Sequence, residues 1–273
     1  MSAPLSRRPS SEIFNRILRG SGVAWFGVAA VGQIAFIAFI LLFYGVRTAT
    51  ANIAGWNDKP LIDGYVAGDD TGNLMFALHV LPASVMILCG LMQLWPQLRH
   101  ARPRLHHWTG RIFLTLAVGG ALSGIWLTVV RGTYLSEISA VAILLDAALI
   151  LIFAALTLWT AVRRRIDRHR IWAMRTFMVA SGVWFLRVGI MGWILINQGP
   201  VGMTDHMSGP ADVVLTFGAY LIPLAILELY LFAGRTQAVA PKMVAALTIM
   251  AATLFTALGV FGTVTMMWWP YLP

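Results

Sequence analysis

Apolar residues run along this chain in long stretches, and polar residues gather in the shorter segments between them. Seven stretches reach the roughly 20 residues that a helix needs to cross the hydrocarbon core of a bilayer. We therefore predict an all-helical integral membrane protein with seven spans. The predicted spans lie near Ala24–Gly45, Leu74–Trp95, Trp108–Val130, Ser139–Val162, Ile171–Ile196, Val213–Ala233 and Met243–Met267.

The composition agrees with this class, because 59% of the 273 residues are hydrophobic and only 11% are charged. The mean hydropathy is +0.76, and a soluble domain has a smaller apolar share. No Pro-, Ser- or Gly-rich linker divides the chain, so we predict one membrane domain over residues 24–267. A basic segment, residues 1–23, precedes it, and a tail, residues 268–273, follows it with the Trp and Tyr typical of a membrane-surface aromatic belt.

Charge divides the loops into two sets. One set carries most of the basic residues: Arg7, Arg8, Arg16, Arg19, Arg99, Arg102, Arg104, the five arginines between Arg163 and Arg170, Arg235 and Lys242. The other set holds most of the acidic residues and only three basic ones, Arg47, Lys59 and Arg131. By the positive-inside rule, the N-terminus is predicted to be cytoplasmic and the C-terminus outside, in a bacterial cytoplasmic (inner) membrane. The net charge of +9 then reflects topology and attraction to anionic lipid, and no nucleic-acid partner is expected.

The two longest loops, Arg47–Asn73 and Asn197–Asp212, are rich in Gly and Asp and are both predicted to lie outside. They either fold as a lid over the outer face or form solvated connections. The single cysteine, Cys89, lies within the second span. It can therefore form neither an intrachain disulfide nor a cysteine metal cluster.

Two similar sequence boxes, Leu105–Arg111 and Arg168–Arg175, each place an Arg one turn inside an apolar stretch. Burying Arg in lipid is costly, so Arg111 and Arg175 are expected to hold an anion, a cofactor or a partner carboxylate. The alternative is that these side chains snorkel to the headgroups. The boxes also indicate that spans two and three duplicate spans four and five, unless the membrane surface alone selects Trp and Arg here.

Depth within the predicted spans sorts the polar residues into two layers. The outer layer lies roughly 8–14 Å deep and the inner layer roughly 5–8 Å deep. Because an unpaired charge is costly in hydrocarbon, we expect the ion pairs Asp146–Arg187 and Arg175–Glu228, which either lock the bundle or serve a function. The outer layer holds His79, Asp146 and Arg187, and the inner layer holds Arg111, Arg175 and Glu228 beneath His106, His107 and His169.

The histidines are compatible with haem, in which a histidine nitrogen ligates iron between apolar helices. His79 could pair with His206 if the outer loop folds inward, and the inner histidines could supply a second pair, His169 with His106 or His107. The alternative for His79 is a neutral, hydrogen-bonded core residue. A retinal Schiff base is excluded because no lysine lies at mid-membrane, and zinc is disfavoured because no span carries a His-x-x-x-His pattern.

These residues resemble the "domain of unknown function 2306" family of predicted bacterial membrane proteins. The resemblance covers spans two to five, residues 74–196, and implies a helical membrane fold without supplying a reaction. His107 stands where that family usually has Arg, and Ala173 stands where it usually has Met. The similarity rests on His79, on the His-x-x-x-Gly-Arg pattern of His106, Gly110 and Arg111, on the His-Arg-x-Trp-x-x-Arg pattern of His169, Arg170, Trp172 and Arg175, and on Leu186-Arg187.

We hypothesise a His/Arg site among spans two to five that binds haem b or a quinone in membrane electron transfer. If haem b binds, His79 and His169 would be iron ligands. Two rival hypotheses are a binding or transport bundle for protons or a small anion, and a structural or assembly subunit without a site. The expected partners are the lipid bilayer and a quinone or small anion, and a homo-oligomer or a membrane-complex partner stays open.

The charge bias predicts the location of two reporter fusions. A reporter fused after Arg165 should be active in the cytoplasm, and one fused after Pro273 should be active outside. Paired cytoplasmic and periplasmic reporters at both positions check this result. A cytoplasmic C-terminus would remove one span from the prediction.

Overall fold

The structure, a computed structural model, describes residues 9–60 and 62–272, and these residues form helices without any strand. Arg7, Arg8 and Pro273, which enter the sequence predictions, lie outside the described residues. Within the described part the α-helices are α1 (Pro9–Phe39), α2 (Val46–Ala49), α3 (Asp70–Leu94), α4 (Pro96–Ala101), α5 (Pro103–Val129), α6 (Glu137–Val162), α7 (Ile166–Ala180), α8 (Gly182–Asn197), α9 (Pro210–Arg235) and α10 (Val239–Gly262).

The predicted all-helical membrane class is confirmed. The described residues contain six straight candidate spans, or seven if the bent pair of α7 and α8 counts as one span. The predicted fifth span, Ile171–Ile196, is wrong as a single helix, because α7 and α8 are bent by 54° relative to each other. The six straight candidates are Glu12–Ala49, Asp70–Leu94, Pro103–Val129, Glu137–Val162, Pro210–Arg235 and Val239–Tyr271.

The bend between α7 and α8 falls at Ser181. The Ser181 N–H is shared between the carbonyl oxygens of Phe177 and Met178, at 3.1 and 3.3 Å. Helix kinks are common at Gly/Ser pairs, and Gly182 follows directly. In addition, Gln33 Nε2 of α1 donates a hydrogen bond to Ser181 Oγ at 3.1 Å. A local Ser-Gly pair and a contact from another helix therefore coincide at the bend.

The bend gives the two halves of this segment different neighbours. α7 packs against α6 and α9, whereas α8 packs against α10 and α9. On the other side of the bundle, α1 packs against α10 and α3, α3 against α5, and α5 against α6. α8 is thereby brought close to the helices that carry the aromatic core at one end of the bundle.

That end carries two π-helical segments, Ile40–Gly45 after α1 and Thr263–Trp268 after α10. Phe36 and Phe39 stack on Trp268 with ring centroids 5.1 and 5.6 Å apart. π-helical turns are frequent at functional sites. We call this end of the bundle the acidic end, because its loops hold Asp58, Asp63, Asp69 and Asp205, and we call the opposite end the arginine-rich end.

The loop between α2 and α3 folds back onto the acidic end. Trp56 in this loop is 3% exposed, and its ring centroid lies 5.7 Å from that of Phe76 in α3. Arg131 fixes the end of the loop, since its Nε pairs with Asp69 at 2.9 Å and its Nη1 donates to the Gly64 carbonyl at 3.2 Å. Trp56 and Arg131 therefore hold this loop against the helices.

One close helix contact depends on a glycine. A Cβ atom at Gly259 in α10 would overlap the backbone carbonyl oxygen of Val188 in α8. Small residues at such contacts let two membrane helices approach closely. Because the obstacle is backbone, it cannot move aside as a flexible side chain would.

This contact predicts that Gly259→Ala lowers the stability of the protein. We expect a loss of about 1–3 kcal/mol, because overpacking forces the backbone to shift. Gly119→Ala in α5 is the matched control, since a Cβ there meets nothing within 4 Å, and it should be neutral or stabilising by about 0.5–1 kcal/mol. Thermal unfolding in detergent measures both effects. Equal unfolding temperatures for the two variants would contradict the close contact.

Candidate functional site

Arg175 and Glu228 form an ion pair at the arginine-rich half of the bundle. Arg175 Nε donates to Glu228 Oε1 at 2.6 Å, and Arg175 Nη2 donates to Glu228 Oε2 at 2.8 Å. The guanidinium also lies 4.4 Å from the ring centroid of Trp172. Both charges are satisfied within the protein, so this pair joins α7 to α9 and leaves Arg175 little capacity for a ligand.

Arg111 has a different environment from Arg175, although the two sequence boxes are similar. Arg111 is exposed on the surface of α5, and its guanidinium lies 5.3 Å from the Trp108 ring centroid. Its position fits a side chain that extends along the membrane surface towards the headgroups.

The inner histidines gather at the arginine-rich end. His169 Nδ1 lies 3.0 Å from the Thr157 carbonyl oxygen, and the rings of His106 and His107 are 6.1 Å apart. His106 Nδ1 is buried without a partner among the described residues, and His169 lies within electrostatic range of His106. The described part of the chain contains no group of three or more His, Cys, Asp or Glu side chains arranged to hold a metal ion.

His79 lies at the contact between α3 and α5, towards the acidic end. Its Nδ1 is 3.0 Å from Ser123 Oγ and 3.1 Å from the Gly120 carbonyl oxygen. A Cβ at Gly124 would lie 3.3 Å from Cε1 of the imidazole ring, so the ring packs closely against α5 at this glycine. These contacts orient the ring and leave Nε2 without a hydrogen bond among the described side chains.

The structure does not bring His79 together with a second haem ligand. His206 is exposed in the loop between α8 and α9. His169 lies in the first turn of α7 at the arginine-rich end, whereas His79 lies in the half of α3 that is nearer the acidic end. His79 and His169 therefore cannot bind the same iron.

Arg187 in α8 is half-buried near the two π-helical segments. Its Nη1 donates to the Val183 carbonyl of its own helix at 2.9 Å, and its guanidinium lies 5.2 Å from the Phe36 ring centroid. Thr263 Oγ1 donates to the Arg187 carbonyl oxygen at 3.2 Å. Across the side chains that the structure describes, no carboxylate lies within ion-pair distance of Arg187.

The expected ion pair between Arg187 and Asp146 is therefore wrong. The carboxyl group of Asp146 lies beside Gly182, where a Cβ would come within 2.6 Å of Oδ2. Arg187 follows Gly182 by five residues, which turns its side chain by roughly 140° around the helix from the side of Gly182. Asp146 of α6 is level with Gly182, whereas Arg187 lies five residues, or roughly 7.5 Å, further along α8 and on another face of that helix. The depths estimated from the sequence did not show this difference.

Lys59 and Tyr44 lie near Arg187 and His79, although the sequence predicted no functional role for them. Arg187 lies within electrostatic range of all three residues, and Lys59 Nζ is 6.0 Å from the Tyr44 ring centroid. Lys59 comes from the folded-back loop and Tyr44 from the π-helical end of α1. We call Arg187, Lys59, His79 and Tyr44 the cationic site.

Burial and the neighbouring charge of Arg187 lower the pKa of Lys59 from 10.5 to about 8, and Asp63 partly opposes this shift. Lys59 therefore gains or loses its charge near neutral pH. Only the fold of the loop brings this lysine to the site, so its position along the sequence gave no signal. The sequence indicated only weakly that Tyr44 belongs to a polar site, because it is a polar aromatic residue at the end of the first apolar stretch.

The comparisons with known proteins identify a family. The family described as "Predicted membrane protein (DUF2306)" matches residues 76–231, a segment that includes His79, Asp146, Arg187 and Glu228. No curated protein and no solved structure matches the chain. Because the matched segment is more than half of the 273 residues, the chain belongs to this family of predicted membrane proteins.

Proposed function

We propose that the protein is a membrane binding or transport protein for a small anion, which it holds at the cationic site. The observation that carries this proposal is the missing counter-ion of Arg187. A charged side chain inside a membrane bundle is costly unless an opposite charge or a polar partner compensates it. The single hydrogen bond to the Val183 carbonyl leaves most of the guanidinium donors unused.

The second cation of the site strengthens this inference. Lys59 and Arg187 repel each other, and the fold nevertheless keeps both half-buried at one end of the bundle. An anion between them would compensate both charges, and its oxygens would accept hydrogen bonds from the guanidinium, the ammonium and the Tyr44 hydroxyl. These three groups would act as donors, while His79 would line the site from α3.

A small anion is favoured over the other ligands considered. A quinone offers carbonyl oxygens as acceptors, but a neutral head group would leave both cations uncompensated. Haem b needs axial ligands, and His79 has no second histidine beside it. The inner histidines are a separate group at the arginine-rich end, so they take no part in the cationic site.

We infer that the chain crosses the membrane seven times, with α7 and α8 together forming one broken span. This count places the basic segments at residues 12–20, 95–102, 163–165 and 235–242 on the same side. If α7 and α8 instead formed a re-entrant loop, Arg235 and Lys242 would face the side of the acidic loops. The positive-inside rule therefore supports seven crossings in a bacterial cytoplasmic membrane, with the cationic site at the outer end.

Sulfate should stabilise the purified protein through Arg187. Wild-type protein in detergent should unfold at a higher temperature as sodium sulfate replaces sodium chloride at constant ionic strength, because ligand binding stabilises the folded state. Arg187→Gln should weaken sulfate binding about tenfold or more, since it removes a charge-assisted hydrogen-bond donor. Isothermal titration calorimetry measures the affinity directly.

Arg111→Gln is the matched control, because it removes another Arg of the membrane region that is exposed on α5. This variant should bind sulfate as the wild type does. Phosphate, acetate and a short-chain ubiquinone complete the series of probes. The proposal is wrong if none of the anions binds, if the neutral quinone alone binds, or if both arginine variants lose affinity equally.

The pKa of Lys59 predicts the pH dependence of this binding. Lys59 is charged below about pH 8, so the affinity for sulfate should fall as the pH rises from 7 to 9. We expect a loss of about three- to tenfold, the order of magnitude for removing one nearby charge in a partly buried site. Calorimetric titrations at pH 7, 8 and 9 check this result, since sulfate itself does not change charge in that range.

Lys59→Gln should bind sulfate weakly at all three pH values and remove most of the pH dependence. Arg99→Gln, which removes a cation from the opposite end of the bundle, should keep the wild-type profile. An unchanged pH profile in Lys59→Gln would show that another group titrates.

A further inference from the structure

A second polar group lies at the break between α7 and α8, apart from the cationic site. Its members come from three different helices and from the break itself. Gln33 belongs to α1, Asp146 to α6 and Tyr220 to α9, and all three lie around Ser181 and Gly182. We call Asp146, Gln33, Ser181 and Tyr220 the break site.

The contacts that define the break site are short. Gln33 Nε2 donates to Ser181 Oγ at 3.1 Å. A Cβ at Gly182 would lie 2.6 Å from Asp146 Oδ2 and 3.5 Å from Tyr220 Cβ. The absence of a side chain at Gly182 therefore leaves the space that the carboxyl group of Asp146 occupies.

Asp146 has no partner for its charge. None of the ion pairs in the described residues includes it, neither carboxyl oxygen accepts a hydrogen bond from a described group, and Oδ1 is buried. A bare carboxylate in apolar surroundings costs several kcal/mol. The start of α8 does not compensate the charge of Asp146, because the backbone N–H groups there form no hydrogen bond with the carboxyl group.

Two other buried groups of the break site also have unused hydrogen-bonding atoms. Tyr220 is 3% exposed and Gln33 is 1% exposed, and neither Tyr220 Oη nor Gln33 Oε1 has a partner among the described residues. A buried polar atom without a partner is rare in native proteins. Two buried oxygen atoms without partners thus belong to residues that pack at the same break as Asp146, whose carboxyl group has no counter-ion.

We propose that the break site binds a small monovalent cation, either a proton or a sodium ion, on the carboxyl group of Asp146. A proton taken up from solution would convert the carboxylate to a neutral carboxylic acid, whose O–H could then donate to Gln33 Oε1. A sodium ion would keep the carboxylate and use the oxygens of Asp146, Gln33, Ser181 and Tyr220 as ligands. Broken helices build ion sites of this kind in membrane proteins, where the backbone no longer satisfies itself.

Few other ionisable groups face Asp146. Tyr220 from α9 is the one titratable side chain that interacts with it within the described chain. α1 and the α7–α8 break contribute the uncharged side chains of Gln33 and Ser181, and α5, which also packs against α6, contributes no charged group to the break site. The charge state of the break site is therefore that of Asp146.

Infrared spectroscopy of the full chain in detergent tests this proposal, because a protonated carboxyl group has a carbonyl band distinct from the bands of a carboxylate. Exposed carboxyl groups are ionised at pH 7, so a band recorded in choline chloride comes from a buried carboxyl group, and the part of it that depends on residue 146 comes from Asp146. Asp146→Asn should remove the band, and Asp205→Asn, which changes an exposed loop carboxylate, should leave it unchanged.

Replacing choline by sodium distinguishes the two cations. If the band stays and the unfolding temperature is unchanged, the occupant is a proton. If sodium removes the band or raises the unfolding temperature in the wild type but not in Asp146→Asn, the occupant is a sodium ion. The proposal is overturned if the band is absent in choline and sodium has no effect that depends on Asp146.

Tyr220→Phe keeps the test decisive should Asp146→Asn fail to fold. This variant removes one hydroxyl from the break site and retains the carboxyl group. It should shift the carbonyl band, or weaken the sodium effect, because the surroundings of Asp146 change. A band and a sodium response identical to those of the wild type would contradict the assignment to the break site.

Discussion

The cost of holding a charge among apolar helices is the constraint on which the rest of this structure depends. The protein meets it in two ways. Arg175 and Glu228 compensate each other within the bundle, whereas Arg187 and Asp146 have no partner of opposite charge among the described side chains. The first arrangement joins two helices. The second leaves charges that we propose a ligand from outside the chain compensates, and this difference separates the structural pair from the candidate functional residues.

The break at Ser181 determines where Arg187 and Asp146 lie. It turns α8 away from the line of α7, so that Gly182 faces Asp146 while Arg187 faces Phe36 and the acidic end. A straight helix over the same residues would not place α7 against α6 and α8 against α10. The two polar sites are therefore separate, yet both contact α8.

The sequence was a good guide to the helices because a bilayer leaves few alternatives for a chain this apolar. It also placed His79 and Arg187 at the same end of the bundle. The break was missed because Ser181-Gly182 is an ordinary pair within an apolar stretch, and the contact from Gln33 is visible only in the fold. Lys59 was missed for a similar reason, since a loop that folds back carries it to Arg187. The Asp146–Arg187 pair was wrong because depth estimated from the ends of the spans determines neither the level at which Asp146 meets α8 nor the face of α8 that carries Arg187.

On the proposed function, the counter-charge of Arg187 is a bound anion and not a carboxylate of the protein. Anomalous diffraction from crystals grown with selenate, which resembles sulfate and contains a strong anomalous scatterer, tests it most directly. We expect selenate oxygens about 3 Å from the Arg187 guanidinium, on the side that faces Lys59. An Asp or Glu side chain bound to Arg187, with no selenate at the cationic site, would contradict it.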